Sequence, residues 1–260
     1  MTEPVVLAQR RGPVQWITIN RAERRNALNQ EVVAAIAQAI VEADRSTDCR
    51  AIVLTGAGDA AFCAGADLRT TEGGAFDVDY AHPQHYVIDL FKQMEACSLP
   101  IVARVNGHAM AGGMGLLCAC DMAIACDDAR FGTPEAGIGV FPMMILTYML
   151  RIVPRRKLFE MCFTADPFDA REALELGLVN HVVPRAELDA RLDRLLTRMI
   201  ENSPTAFRLG KQAFHAMQDM SLREAFEYAQ LMVPVMASTG DAREGMSAFR
   251  EKRKPVWTGR

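Results

Sequence analysis

No cysteine pair in the sequence has the spacing of a zinc or redox site. Seven cysteines are present, Cys49, Cys63, Cys97, Cys118, Cys120, Cys126 and Cys162. None forms a CxxC pair, and Cys118-Ala119-Cys120 has the wrong spacing for either motif. The odd count and the apolar surroundings of Cys118, Cys120, Cys126 and Cys162 predict buried thiols in a reducing cytosol. Positive charge is not in excess either. Lys and Arg number 29 against 32 Asp and Glu, a net charge of -3, so no general basic field exists to attract nucleic acid. A few local Arg or Lys would still suffice to hold a small anion. The opening MTEPVVLAQRRGP carries no signal-peptide apolar region. The longest apolar stretch, residues 105–125, is broken by Asn106, His108, four glycines and Asp121. It reads as a buried glycine-rich segment and not as a membrane span, and the expected location is the cytoplasm.

Half of the 260 residues are hydrophobic, enough for a sizeable core in one or two domains. Residues 5–8 and 14–19 read as a hairpin around the turn Arg10-Arg11-Gly12-Pro13. Asn29 is placed to cap a helix whose apolar face holds Val32, Val33, Ile36, Ile40 and Val41. Residues 51–54 read as a buried strand, and residues 55–83 as a long loop of the kind that is functional or mobile. Val87, Ile88, Phe91 and Met94 mark a second amphipathic helix. Further strands are expected at 101–105, 122–126, 129–131 and 179–183. A glycine-rich turn at 107–115 enters a helix, and another helix at 170–176 stops at Gly177. Beyond residue 188 the pattern is helical, with breaks at Pro204, Ser221 and Gly240. The whole describes an α/β core, residues 1–200, with a helical segment, residues 201–260. Leu222, Phe226, Leu231, Met232, Val235 and Met236 give that segment more apolar surface than a small core covers, which marks it for oligomerisation.

Three motifs bear on chemistry. Gly56-Ala57-Gly58-Asp59-Ala60-Ala61 matches GxGxxA after a strand, but a dinucleotide turn needs a helix to open there. Phe62-Cys63-Ala64-Gly65-Ala66-Asp67 is poor at opening one, so the motif is a decoy. Cys63 to Asp67 and Gly107 to Gly113 are both runs of small residues just after a strand. Such runs let a ligand approach the backbone, and exposed N–H groups at a helix start favour negative charge. Tight packing of helix on sheet explains either run taken singly. In Arg130-Phe131-Gly132-Thr133-Pro134-Glu135-Ala136-Gly137-Ile138-Gly139, Glu135 sits between a proline and a glycine-rich apolar stretch. Poor solvation there would raise its pKa and suit it to proton transfer. A helix-start carboxylate after proline is the plainer reading of the same residue, and this motif alone does not separate the two.

Taken together, these stretches resemble the crotonase (enoyl-CoA hydratase/isomerase) family. The resemblance rests on residues 20–28 (NRAERRNAL), Leu54-Thr55-Gly56 through Leu68, Val105-Asn106-Gly107 through Gly115, and Cys120-Asp121. It continues through Phe131 to Glu135, residues 173–179 (ALELGLV) and Glu251-Lys252-Arg253-Lys254-Pro255, covering nearly the whole chain in order. It implies a spiral of ββα units with a C-terminal helical segment, an acyl-CoA thioester as substrate, and trimers, often paired into hexamers. No metal or redox cofactor is implied, coenzyme A being part of the substrate. The backbone N–H groups of Ala66 and Gly112 fall where the family places its oxyanion-hole donors. Ala64 falls near the adenine, and Arg24 or Arg25, in the loop that also holds Ala27, near the phosphates and pantetheine. The implied ligand-contacting set is therefore Arg24, Ala27, Ala64, Ala66, Asp67 and Gly112, with Asp67 and Asp121 matching positions read as structural in role. Family hydratases carry two water-activating glutamates. The second matches Glu135; the first falls on Gly115, and neither Met114 nor Leu116 can substitute. A single base suffices to move a proton from C2 to C4 through a dienolate. Isomerisation of a 3-enoyl-CoA is thus the expected activity, beside atypical hydration or acyl-CoA binding without catalysis. Any one of Glu72, Asp77, Asp79, His82 and His85 in the long loop could replace the lost acid, a solvated loop side chain being the plainer reading of each.

Overall fold

The computed structural model describes residues 3–69, 80–81 and 84–260. Strand β1 (Val6–Arg11) pairs antiparallel with β2 (Val14–Ile19), with Arg11 opposite Val14. The turn is therefore shorter than the sequence predicts: only Gly12-Pro13 lies between the strands, with Gly12 at φ +55, a conformation that lacks a steric penalty only for glycine. Gln9, Arg10 and Arg11 belong to the strand. Their polar side chains suit it, because β1 is the outer edge of its sheet and charge on an edge discourages further pairing. The Arg11 guanidinium covers the Trp16 ring at 4.0 Å from its centroid.

Helix α1 (Gln30–Arg45) starts where Asn29 accepts a hydrogen bond from the Val32 N–H at 2.9 Å. Its buried face is Val32, Val33, Ile36, Ala39, Ile40 and Ala43. Val41, expected on that face, is half-buried beside it. Strands β3 (Ala51–Gly56), β5 (Ile101–Val105), β7 (Met122–Cys126) and β10 (His181–Val183) then add to β2 in parallel, giving the order β1-β2-β3-β5-β7-β10. Their near-continuous apolar runs are what a parallel sheet covered on both faces requires.

A second sheet runs in the order β4 (Ala61–Cys63), β6 (His108–Met110), β8 (Arg130–Gly132), β9 (Phe168–Asp169). Strand β4 lies within the stretch read from the sequence as loop, and β6 within the glycine-rich turn. Three residues are too few for an alternating pattern to register, and the short strands exist through pairing with each other. Each repeat sends one strand to the large sheet and the next to the small one, then a helix: α2 (Tyr86–Ala96), α3 (Gly112–Cys118) and α4 (Met143–Ile152). This is an α/β spiral of ββα units. Helix α5 (Arg155–Thr164) follows, and α6 (Ala170–Glu175) ends before Gly177, which takes φ +77.

The tail is helical: α7 (Leu188–Ile200), α8 (Pro204–Met217), α9 (Leu222–Ala237) and α10 (Gly240–Glu251). Ser203, Ser221 and Thr239 each cap the helix that follows, and Ser221 forms a reciprocal capping box with Glu224. These caps coincide with the breaks expected at Pro204, Ser221 and Gly240. Lys211 of α8 ties tail to core: its ammonium donates to the Leu99 carbonyl at 3.1 Å and to Asp121 Oδ2 at 2.7 Å. Helix α9 buries no residue, and Leu222, Phe226, Leu231 and Val235 are exposed. All seven cysteines are free, and burial pushes the Cys63, Cys97 and Cys118 thiols up to about 12. Among the described residues no helix is long and apolar enough to cross a membrane.

Candidate active site

The small sheet positions the site. Strands β4 and β6 are parallel neighbours, Ala61 beside His108 and Cys63 beside Ala109, so the segments leaving their ends emerge side by side. After β4 the chain forms a parallel bridge between Leu28 and Ala66. In it the Leu28 N–H donates to the Gly65 carbonyl and the Asp67 N–H to the Leu28 carbonyl, both at 2.7 Å. That pattern leaves the Ala66 N–H with no acceptor among the described residues. After β6, Ala111 takes φ 50, ψ -125, a strained conformation for a residue with a Cβ, and such strain collects at functional sites. Gly112 then opens α3, where a helix has no carbonyl of its own to offer the N–H. The two residues stand close together: a Cβ added to Gly112 would lie 3.7 Å from the Ala66 nitrogen. Closeness is enforced by the flanking glycines, since a Cβ on Gly65 would lie 2.7 Å from Ala111 Cβ and one on Gly113 only 2.1 Å from the Cys63 carbonyl oxygen.

Glu135 enters from the other side. Thr133, wholly buried, donates from Oγ1 to the Met161 carbonyl at 3.0 Å and fixes the chain just before it. Pro134 starts a short 3-10 turn, Pro134–Ile138, that Gly139 closes at φ +81. Glu135 Oε2 is buried without a hydrogen-bond partner. Burial pushes the Glu135 carboxyl above its ordinary pKa, opposed by its own backbone amide. The sequence reading of a poorly solvated carboxylate agrees with this placement. Ala64, Ala66, Gly112 and Glu135 line one cavity of about 230 Å³, whose other walls are mostly apolar, among them Leu68, Phe141, Met143 and Ile145.

The remaining expected contact residues lie elsewhere. Arg24 and Arg25 are exposed at the turn beside the site, where the Ala64 N–H donates to the Arg25 carbonyl at 3.0 Å. Ala27 and Asp67 are buried behind the cavity wall. The Asp67 carboxylate is engaged by Arg21 at 2.7 Å, and Arg21 also donates to the Ala27 carbonyl at 2.7 Å. Arg21 thus ties Asp67, on the loop that carries Ala66, to the Ala27 turn, and Asp67 is not among the residues lining the cavity. Asn26 does similar work and was not singled out from the sequence: it is wholly buried and donates to the Ala57 and Ala61 carbonyls at 3.0 and 2.7 Å. The GxGxxA motif opens no helix, since Ala61 begins β4.

No carboxylate stands at Gly115. A Cβ there would meet Ile145 Cγ2 at 2.4 Å and Phe91 Cζ at 2.7 Å, so that space is filled by apolar side chains. Of the loop residues considered as replacements, Glu72, Asp77, Asp79 and His82 lie outside the described residues. His85 lines the cavity, but its Nδ1 accepts from the Val87 N–H at 3.2 Å and so caps α2. Tyr86, unnoticed in the sequence, lines the cavity beside it.

The ββα spiral over two sheets is thus built around an apolar cavity that holds two backbone N–H groups without an acceptor among the described residues and a desolvated glutamate. Residues 9–260 match the family described as enoyl-CoA hydratase/isomerase. The chain is 37% identical to a putative enoyl-CoA hydratase of Thermus thermophilus, over 94% of this chain and 97% of that protein. It is 34% identical to the short-chain-enoyl-CoA hydratase of Clostridium acetobutylicum, over 96% and 95% respectively. Among solved structures, it resembles an enoyl-CoA hydratase of Mycobacterium smegmatis with TM-score 0.90 at 31% identity, covering 98% of this chain and 99% of that one. The human enoyl Coenzyme A hydratase domain-containing protein 3 gives TM-score 0.91 at 30% identity, over 97% and 100%. The chain belongs to the enoyl-CoA hydratase/isomerase family.

Proposed function

We propose that the chain binds an enoyl-CoA thioester and moves a proton between C2 and C4, converting a 3-enoyl-CoA to the conjugated 2-enoyl-CoA. The observation that carries this reading is the unpartnered Glu135 oxygen in the same cavity as Ala66 and Gly112, with no carboxylate at Gly115. Glu135 takes the C2 proton, and the electron pair moves onto the thioester oxygen. The N–H groups of Ala66 and Gly112 form the oxyanion hole for that oxygen, each worth about 2.7–4 kcal/mol in a water-excluded site. Glu135 then returns the proton at C4. The raised pKa brings the carboxyl closer to neutrality, where one group serves as base and then as acid. Arg24 at the rim supplies charge for the coenzyme A phosphates, and the reaction needs no metal or redox cofactor. The free thiols suit a reducing compartment such as the cytoplasm. The exposed apolar side of α9 supports assembly into a trimer or hexamer.

Glu135→Gln keeps shape and removes the base. It is expected to abolish solvent deuterium exchange at C2 while coenzyme A affinity stays within about threefold. Near-normal exchange in that variant would sink the reading. A parent protein that binds acyl-CoA tightly and exchanges nothing would be a binding module instead. Hydration is the second reading, favoured by the names of the relatives; it needs a further group to hold the water.

A further inference from the structure

Tyr86 is the first residue of α2 and lines the same cavity as Glu135. Its ring is held in place: it stacks on His85 with centroids 4.5 Å apart and 24° between planes, and His85 is itself fixed by capping α2. Burial pushes the phenol pKa above its ordinary value, so the group stays a neutral O–H. Among the described residues its hydroxyl has no hydrogen-bond partner. The residue is half-buried, so the hydroxyl is open to a ligand or water in the cavity. Glu135 Oε2 is also without a partner. The buried Glu135 oxygen calls for a partner, and Tyr86, lining the same mostly apolar cavity, is placed to share a ligand or water with it.

The position of α2 gives Tyr86 a specific task. Val87 lines the cavity, and Phe91, one turn further on, is the ring whose Cζ stands 2.7 Å from where a Gly115 Cβ would be. The helix that closes over Gly115 is thus the helix that brings a phenol into the cavity.

We infer that Tyr86 Oη is the second hydrogen-bonding group of this site and that, with Glu135, it holds a water, giving the enzyme a hydratase activity beside isomerisation. The inference rests on the reading of Glu135 as the base. One water hydrogen is donated to Glu135 and the other to Tyr86 Oη, aiming the oxygen at C3 of a bound 2-enoyl-CoA. The C3–O bond forms as the C2=C3 π pair moves onto the thioester oxygen, between the Ala66 and Gly112 N–H groups. Glu135 receives the water proton and delivers a proton to C2 as the thioester carbonyl re-forms. Tyr86 keeps its own proton throughout.

The test uses the full chain with two assays on the same preparations: loss of conjugated thioester absorbance from crotonyl-CoA for hydration, and its gain from 3-hexenoyl-CoA for isomerisation. Tyr86→Phe removes one oxygen and keeps the ring stack. It is expected to lower the hydration kcat by roughly 30- to 100-fold, with KM unchanged and isomerisation within about threefold of the parent. Unchanged hydration, equal loss of both activities, a change confined to KM, or a parent that does not hydrate would each overturn the role of Tyr86. Glu135→Gln separates the two layers. It should lose both activities, and if it retains isomerisation the base assignment fails whatever Tyr86 does.

Discussion

Placing a glutamate at Gly115 tests whether the missing carboxylate or the shape of the pocket limits hydration. From the sequence alone, Gly115→Glu is expected to point toward the substrate and add a hydratase function, unless Met114 and Phe141 obstruct it. The structure names other obstacles and makes them decisive. A Cβ at residue 115 would lie 2.4 Å from Ile145 Cγ2, 2.7 Å from Phe91 Cζ and 3.3 Å from Ile145 Cβ. Carbon atoms pack at about 3.5–4.0 Å, so the Ile145 methyl must retreat by about 1 Å. Ile145 and Phe91 are both buried, and Phe91 stands edge-on to Tyr148 at 5.5 Å, so neither has free space behind it. Overpacking of this kind costs about 1–3 kcal/mol. A second carboxylate near the desolvated Glu135 adds its own burial cost, for a total of about 3 kcal/mol or more. With a urea dependence of about 3 kcal/mol per M, the unfolding midpoint should fall by about 1 M. The assay is urea unfolding followed by circular dichroism at one fixed protein concentration, because assembly stabilises an oligomer. Ile145→Ala in the same chain removes the nearest methyl and should recover part of the loss. If Gly115→Glu unfolds within about 0.2 M of the parent, the packing argument is wrong. If the double variant folds and hydrates faster than Ile145→Ala alone, the absent carboxylate is what limits hydration.

Gly112→Ala should fold at least as well as the parent, since its Cβ has ordinary contacts, the nearest at 3.5 Å, and alanine favours a helix by about 1 kcal/mol. Its methyl stands beside the Ala66 nitrogen, so C2 exchange should fall by about tenfold or more; unchanged exchange would remove Gly112 from the site. Because the folded pKa of Glu135 is raised, its ionisation costs stability above that pKa and the cost vanishes as pH falls through it. Exchange should therefore rise with pH through an apparent pKa above the ordinary 4.5, and Glu135→Met should unfold at higher urea than the parent at pH 7. Asp241 runs the opposite way. It is 1% exposed, accepts from Ser203 Oγ at 2.7 Å and the Thr258 N–H at 2.9 Å, and has its carboxyl lowered from 3.8 to about 2. Its contribution, about 2 kcal/mol, is present above pH 3.8 and lost as pH falls toward 2, so Asp241→Asn should lower the urea midpoint at pH 7 and flatten the acid limb. Replacing Phe226 and Leu231 by Ser should shift sedimentation toward the monomer; a parent that is already monomeric at micromolar concentration would refute the assembly role of α9.

What the sequence made legible follows from how local the signals are. Asn29 and Ser221 advertise helix starts because a cap needs only its own residue and the N–H three positions on. The runs that become β3, β5 and β7 are legible because strands buried on both faces are apolar at nearly every position. Glu135 stood out because its isolation, between a proline and glycines, is written in consecutive residues. The proposed N–H donors were different: nothing in Ala66 or Gly112 alone distinguishes a donor from tight packing, and only the ordered resemblance pointed to them. The ion pair that holds Asp67 was not legible either, because its partner Arg21 is 46 residues away. Tyr86 is the extreme case. It sits in no motif, and its chemical meaning depends on Phe91 closing over Gly115 while the Glu135 oxygen is left without a partner. Each of those facts is a contact between distant segments. A lost glutamate was visible in one line of sequence, but the group available to take up its hydrogen-bonding work was visible only once the helix that fills its space was in view.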